Sequence, residues 1–200
     1  MTTIGIIGSG SIGSAFARTL ARAGIAATIS NSRGPDSLED LVGELGPTIK
    51  AGTREQAAAA DIVLVAVNWA KLPAALKDLP AWNDRIVIDA NNAIEAPLFK
   101  PIDLNGRASS EVFDGLVPGA RVVKAFNHLQ AHVLAGDPRG EGGRRVLFYS
   151  GDHAGAKVEV GRLIERLGFF GIDLGSLAIG ARLVEFPGGP LPVHNLVRFG

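Results

Sequence analysis

Near its start the chain carries an apolar run, Thr3 to Ile7, that passes directly into Gly8-Ser9-Gly10-Ser11-Ile12-Gly13, a G-x-G-x-x-G. Ser14 to Ala23 follows with helical composition, and Ile25 to Ser30 is a second β-like run. Alone, the glycines would mark no more than a tight turn. Strand, glycine turn, helix and strand in this order are the context in which the pattern binds a dinucleotide. Gly8 permits the turn, Gly10 lets the backbone approach a pyrophosphate, and Gly13 lets the helix pack close to the strand. The free N–H groups and positive dipole end of the helix then face the phosphates. Gly8, Ser9, Gly10, Ser11, Ile12 and Gly13 are therefore candidate cofactor-binding residues.

The end of the second strand bears on which dinucleotide. Folds that prefer NAD place Asp or Glu there, about 20 residues beyond the glycines, to bond the ribose 2′-hydroxyl. Here Asn31, Ser32 and Arg33 hold that place, with no carboxylate before Asp36. A carboxylate would repel a 2′-phosphate, whereas a guanidinium beside a hydroxyl can hold one by charge-assisted bonds. The pattern predicts NADP(H). The competing reading of Arg33 is a solvated loop arginine in an NAD site.

Composition narrows the class. Two hundred residues, 46% of them hydrophobic and 20% charged, fit one domain or one domain with a small appendage. A formal net charge of zero carries no electrostatic footprint for nucleic acid or an anionic membrane. With no cysteine, disulfides, thiolate catalysis and cysteine-held metal sites are excluded together. No basic residue precedes the first apolar run, and Ala57 to Ala70 is short for a bilayer and contains Asp61. A cytoplasmic protein with no membrane or nucleic-acid partner is expected.

Further along, strands and helices alternate. Ser37 to Leu45 reads as a short helix, Thr48 to Ala51 as a strand, and Thr53 to Ala60 as a helix with Thr53 and Gln56 as a capping pair. Ile62 to Val67 is an unbroken aliphatic run, as in a strand buried on both faces of a parallel sheet. Lys71 to Leu79 is helical, Ile86 to Asp89 a buried strand, and Ile94 to Arg107 a loop. Ser109 or Ser110 would cap a short helix, Arg121 to Phe126 is a strand and Leu129 to Leu134 a helix. After a glycine-rich turn come a strand at Arg145 to Ser150, a helix at His153 to Leu167, a strand at Phe169 to Ile172 and a helix at Leu177 to Glu185. The predicted fold is α/β, a doubly wound Rossmann-type parallel sheet with a small C-terminal α/β extension. The boundary is placed near residue 135, giving a nucleotide-binding domain at 1–135 and an extension at 136–200 that completes the acceptor pocket.

Open parallel sheets bind ligands outside the carboxyl ends of their strands. Besides the glycine turn and Asn31 to Arg33, those ends are Asn68-Trp69, Asn91-Asn92 and Asn127-His128. Asparagine also ends strands as an ordinary turn residue. Recurring at one sheet edge, though, uncharged amides such as Asn68, Asn91 and Asn127 suit a ribose or a carboxamide. No Ser-His-Asp pattern, H-E-x-x-H or carboxylate pair at helical spacing is present, and no catalytic residue is assigned. His128 is read as a helix-terminal residue near water before a proton donor, and His128 with His132 lacks the further ligands a metal would need. Hydride can pass between a nicotinamide and a second redox ring with little help beyond alignment.

Taken in order, Ile6 to Gly13, Asn31-Ser32-Arg33, Val67-Asn68-Trp69, Val122 to Asn127 and Arg182-Leu183-Val184-Glu185 resemble the NADPH-dependent deazaflavin reductases, the coenzyme F420-dependent NADP oxidoreductases. The chain is similar as well to the cytosolic reductase domain of the metalloreductases that share that fold. The resemblance implies that Ser9, Ser32 and Arg33 hold the 2′-phosphate, and that Val67, Asn68 and Trp69 line the path from adenosine to nicotinamide. It places Asn127 near the nicotinamide and gives the C-terminal part the deazaflavin pocket. It implies a homodimer that moves hydride between NADPH and a small-molecule acceptor, a deazaflavin or a flavin. Gly34-Pro35 stands where a further basic residue is expected. The alternatives are a reductase of a small imine or carbonyl and a catalytically silent NADP(H)-binding module.

Overall fold

Crossover helices decide the order of the strands. The computed structural model describes residues 2–95, 97–140 and 142–200. The first half runs β1 (Ile4–Ile7), α1 (Ser11–Arg22), β2 (Ala27–Ser30), α2 (Glu39–Leu45), β3 (Ile49–Ala51), α3 (Arg54–Ala58), β4 (Ile62–Val65), α4 (Leu72–Leu76) and β5 (Ile86–Asp89). A hairpin of two-residue strands follows, β6 (Ile94–Glu95) and β7 (Lys100–Pro101), then α5 (Ser109–Asp114), β8 (Arg121–Ala125) and α6 (Ala131–Ala135). The remainder is β9 (Arg139–Gly140), β10 (Gly143–Gly151), α7 (Ala154–Arg166), β11 (Phe170–Asp173) and β12 (Val197–Arg198).

The sheet order is β3-β2-β1-β4-β5-β8-β10-β11. From β3 to β8 every pairing is parallel, the arrangement of a doubly wound dinucleotide-binding sheet. All residues of β1, β4 and β5 are buried, as their unbroken aliphatic runs predict. Alternate side chains feed two cores. Ile6, Leu64, Ile88 and Val123 pack with Phe16 and Leu20 of α1 and Leu163 and Ile164 of α7. Ile7, Val63, Val65 and Val87 pack on the other face with Ala57, Leu72, Leu76 and Phe113.

The parallel sheet of the prediction ends at β8. β10 runs antiparallel to it, with Tyr149 opposite Ala125 and Gly151 opposite Val123, and β11 is parallel to β10. A parallel crossover needs a dozen or more residues, as a rule with a helix across the sheet. Residues 126–142 are long enough for one, but their helix α6 has only five residues and packs against α1 rather than crossing to the far end of the sheet. Because β10 pairs with β8 only through its last three residues, its earlier part extends past the carboxyl edge of the parallel strands. Val146 and Phe148 there pack with Val184, Ile172 and Leu191.

Smaller differences have local causes. The segment read as a loop at Ile94 to Arg107 holds the β6–β7 pair, with Ile94 opposite Pro101; two-residue strands have no period to detect. The cap of α5 is Ala108, not a serine: its N–H donates to Glu111 Oε2 at 2.7 Å, and the Ser110 hydroxyl is used elsewhere. The helix expected at Leu177 to Glu185 is chiefly one π-helical turn, Leu177–Ala181. Beyond it the backbone of Val184 and Phe186 bonds to asparagines of the sheet edge. The capping pair of α3 forms as predicted, Gln56 N–H to Thr53 Oγ1 at 3.2 Å and Thr53 N–H to Gln56 Oε1 at 2.9 Å.

Candidate functional site

A cavity of about 780 Å³ lies along the carboxyl ends of β1, β2, β4 and β5. Of the predicted cofactor residues, all line it except Gly13 and Asn127. Among the described residues its walls include Arg33, Arg54 and Lys71 and no Asp or Glu.

The glycines do distinct work. Gly8 has φ +107°, and a Cβ there would lie 2.1 Å from the Ala66 carbonyl oxygen. A Cβ on Gly13 would lie 1.9 Å from the Gly8 carbonyl oxygen, which explains why Gly13 stands behind the wall: it closes helix onto turn. A Cβ on Gly10 would meet nothing within 4 Å. Gly10 is also the N-terminal cap of α1, and no side chain caps the helix. The first-turn N–H groups thus have no intrahelical partner and point to the cavity end of the helix.

Asn31 shapes the loop after β2. Its Oδ1 accepts from the Arg33 N–H at 2.8 Å, and its Nδ2 donates to Ser9 Oγ at 3.2 Å and to Ser37 Oγ at 2.9 Å. Ser37 in turn donates to the Gly34 carbonyl at 2.8 Å. The loop is therefore tied to the glycine turn before any ligand arrives. Ser32 and Arg33 stand exposed on it. Among the described residues neither side chain has a hydrogen-bond partner.

At the other end, Asn91 is buried and its Oδ1 accepts from the Val67 N–H at 2.9 Å. Beneath it lies a charged pair: Lys124 Nζ is 3.1 Å from Asp89 Oδ2, and both side chains have no exposure to solvent. Lys124 also donates to the Asn91 carbonyl, and Ser110 Oγ donates to Asp89 Oδ2 at 2.7 Å.

Asn127 reaches the site indirectly. Its Nδ2 donates to Asn92 Oδ1 at 2.9 Å and to the Val184 carbonyl at 2.7 Å, while Asn92 Nδ2 returns a bond to the Asn127 carbonyl at 3.0 Å. Asn92 Oδ1 also accepts from the Phe186 N–H at 3.2 Å. Asn127 Oδ1 is buried and has no partner. Phe126, just before it, holds a left-handed φ of +65° while packed at 4.8 Å against Phe16. A bulky residue there is strained, and the strain turns the chain at the strand end.

His128 is not near water. It is 2% exposed, and its ring lies 5.1 Å from that of Phe148. Burial pulls its pKa from the usual value to about 4, with the Val146 backbone opposing in part. Neither ring nitrogen makes a hydrogen bond of normal geometry. The ring is neutral at pH 7 and forms part of a wall.

Sequence reasoning missed Arg54, Lys71, Ile94 and Phe99 as lining residues, and marked Asn92 only as part of a strand end. Arg54 Nη1 donates to the carbonyls of Ala74 and Ala75 at 2.9 and 3.1 Å, which fixes it against α4. Nothing local distinguishes it from a surface arginine after a cap. The buried pair was legible in principle, since Asp89 and Lys124 each interrupt an apolar strand and buried charges require partners.

The comparisons agree with this fold. The family described as NADP oxidoreductase, coenzyme F420-dependent, matches residues 3–93. A hypothetical protein from Sinorhizobium meliloti superposes with TM-score 0.94 at 47% identity, over 99% of this chain and 96% of that one. A protein from Arthrobacter provisionally assigned as an F420-dependent NADP reductase gives TM-score 0.74 at 29% identity, over 88% of this chain and 86% of that one. The metalloreductase STEAP3 of Rattus norvegicus is 29% identical over 203 residues, covering 98% of this chain. This chain spans 39% of that relative's length. No helix among the described residues is long and apolar enough to cross a membrane.

Proposed function

We propose that this chain, which belongs to the family of coenzyme F420-dependent NADP oxidoreductases, binds NADP(H) in the edge cavity and moves hydride between it and a deazaflavin or flavin. The observation that carries the reading is the cavity itself, which joins a bare helix N-terminus to three cationic side chains without one carboxylate. The pyrophosphate is assigned to the N–H groups of Ser11 to Gly13, which Gly10 leaves open to approach. Ser9, Ser32 and Arg33 take the 2′-phosphate on a loop that Asn31 has already folded. Arg54 and Lys71 stand in for the basic residue that Gly34-Pro35 lacks.

Val67, Asn68, Trp69 and Asn91 line the way toward Asn92 and Phe99, where the nicotinamide is assigned. Asn127, through Asn92, holds the Val184–Phe186 segment at that end, against which the acceptor ring lies. Bound NADPH supplies the hydride and the second ring receives it. Among the described residues the cavity walls hold no His, Tyr, Cys, Asp or Glu, and Lys71 is given to the phosphate, so the protein's part is alignment and exclusion of water. Stopped-flow absorbance with NADPH and oxidised coenzyme F420, and in parallel with a free flavin, tests this. Rapid bleaching of either acceptor supports it. NADPH binding with no bleaching of both overturns the acceptor class and leaves the cofactor assignment standing.

A further inference from the structure

We propose that the buried Asp89–Lys124 pair is a positioning device for the nucleotide cavity, fixing Asn91 and through it the Val67–Trp69 wall. The inference rests on the reading that this cavity takes NADP(H). The attraction of the two charges does not by itself account for the pair. Two charges with no exposure to solvent carry a desolvation penalty that their attraction often fails to offset, and apolar replacements of similar volume are commonly neutral or stabilising.

The bonds show what the pair does instead. Asp89 divides its oxygens: Oδ2 takes Lys124 Nζ and Ser110 Oγ, at 3.1 and 2.7 Å. Oδ1 takes the Asn91 N–H and Nδ2, at 3.0 and 2.8 Å. Lys124 then reaches past Asp89 to the Asn91 carbonyl. Asn91 is thus gripped at its amide, its carbonyl and its side-chain nitrogen. The only polar atom left to it, Oδ1, is aimed at the Val67 N–H, 2.9 Å away. Val67 and Asn91 line the cavity, whereas Asp89, Ser110 and Lys124 do not. The charges sit at matching positions of adjacent strands, Asp89 beside Lys124, so the sheet register itself sets the grip. Hydrogen-bonded support of this kind is what holds wall residues to the fraction of an ångström that hydride alignment needs.

The test is the paired variant Asp89→Leu/Lys124→Met, with NADPH affinity and melting temperature measured on the same preparations beside wild type. The expected result is a folded protein with a lowered melting temperature, because the Asn91 backbone and the Ser110 hydroxyl lose partners, and an NADPH Kd at least tenfold weaker. In a mutant cycle, adding Asn91→Ala to the pair weakens binding no further than Asn91→Ala alone. A folded paired variant whose Kd stays within twofold of wild type overturns the proposal. One that does not fold overturns it too, because the pair would then be a requirement of the fold. Ser110→Ala gives a second, milder reading: a Kd threefold weaker with a smaller drop in melting temperature than the paired variant is expected, and an unchanged Kd counts against the device. Wild type that fails to bind NADPH defeats the cavity's assignment, a result separate from any of these.

Discussion

The two ends of the cavity are built in opposite ways. At the phosphate end, Arg33 is bonded to Asn31 two residues away, and Asn31 reaches Ser9 across 22. Glycine, helix start and loop all belong to one β-α-β unit. At the far end, Asn92 bonds Asn127 over 35 residues, Asn127 bonds Val184 over 57, and Phe186 bonds Asn92 over 94. The first end consists largely of backbone and is written locally. The second consists of side-chain amides that meet only after the sheet is complete. On the proposed assignment, then, the core of cofactor recognition is local, with Arg54 and Lys71 added from further along the chain, and acceptor recognition is global.

Three perturbations separate the ends, beginning with the largest effect. Gly10→Val places its side chain in open space as far as the protein is concerned, since no atom lies within 4 Å of the added Cβ. Its melting temperature stays near wild type while calorimetry detects no NADPH binding. Retained tight binding would break the assignment of the glycine turn. Arg33→Ala removes a charged partner of the 2′-phosphate and weakens NADPH by roughly 1.5–3 kcal/mol with little change for NADH. Equal losses for both cofactors would move the phosphate elsewhere.

The third perturbation reaches the far end through pH. His128 packs on Phe148 of β10, and its carbonyl accepts from the Val193 N–H at 2.7 Å, so it joins the C-terminal segment to the sheet. Its pKa is lowered by burial to about 4 in the folded chain, below the ordinary histidine value that applies when unfolded. The unfolded state then binds the extra proton first. Stability is full above the ordinary value and is lost as pH falls toward about 4. Between pH 7 and pH 5 the loss is ~2 kcal/mol from this group. Urea unfolding at the two pH values checks it, and His128→Leu should remove most of the difference. An unchanged slope in that variant would take His128 out of the account.

The same contrast governs what could be read from the sequence. The glycine turn, the strand it follows and the loop at Asn31 are legible because each is a pattern within a few residues. The aliphatic runs of β4 and β5 announce burial on both faces. The direction of β10 is not written in its own residues, because it depends on which end of the sheet the chain from β8 re-enters. The hairpin at Ile94 to Pro101 has strands too brief for any period. Arg54 became part of the cavity only because α4 offered two carbonyls to hold it. Asp89 and Lys124 are each visible as a charge in an apolar run, but their pairing is a fact of register.

The overhang of β10 sets how material enters and leaves. Its ladder to β8 joins the C-terminal segment to the nucleotide-binding sheet by strand pairing, with no seam along which the two could swing. On the proposed reading, a ring bound beside Phe99 lies next to the Phe186 ring, 6.5 Å from Phe99. Turnover by the proposed reaction would need no parting of lobes, so solvent viscosity should slow it less than it slows enzymes whose lobes must part.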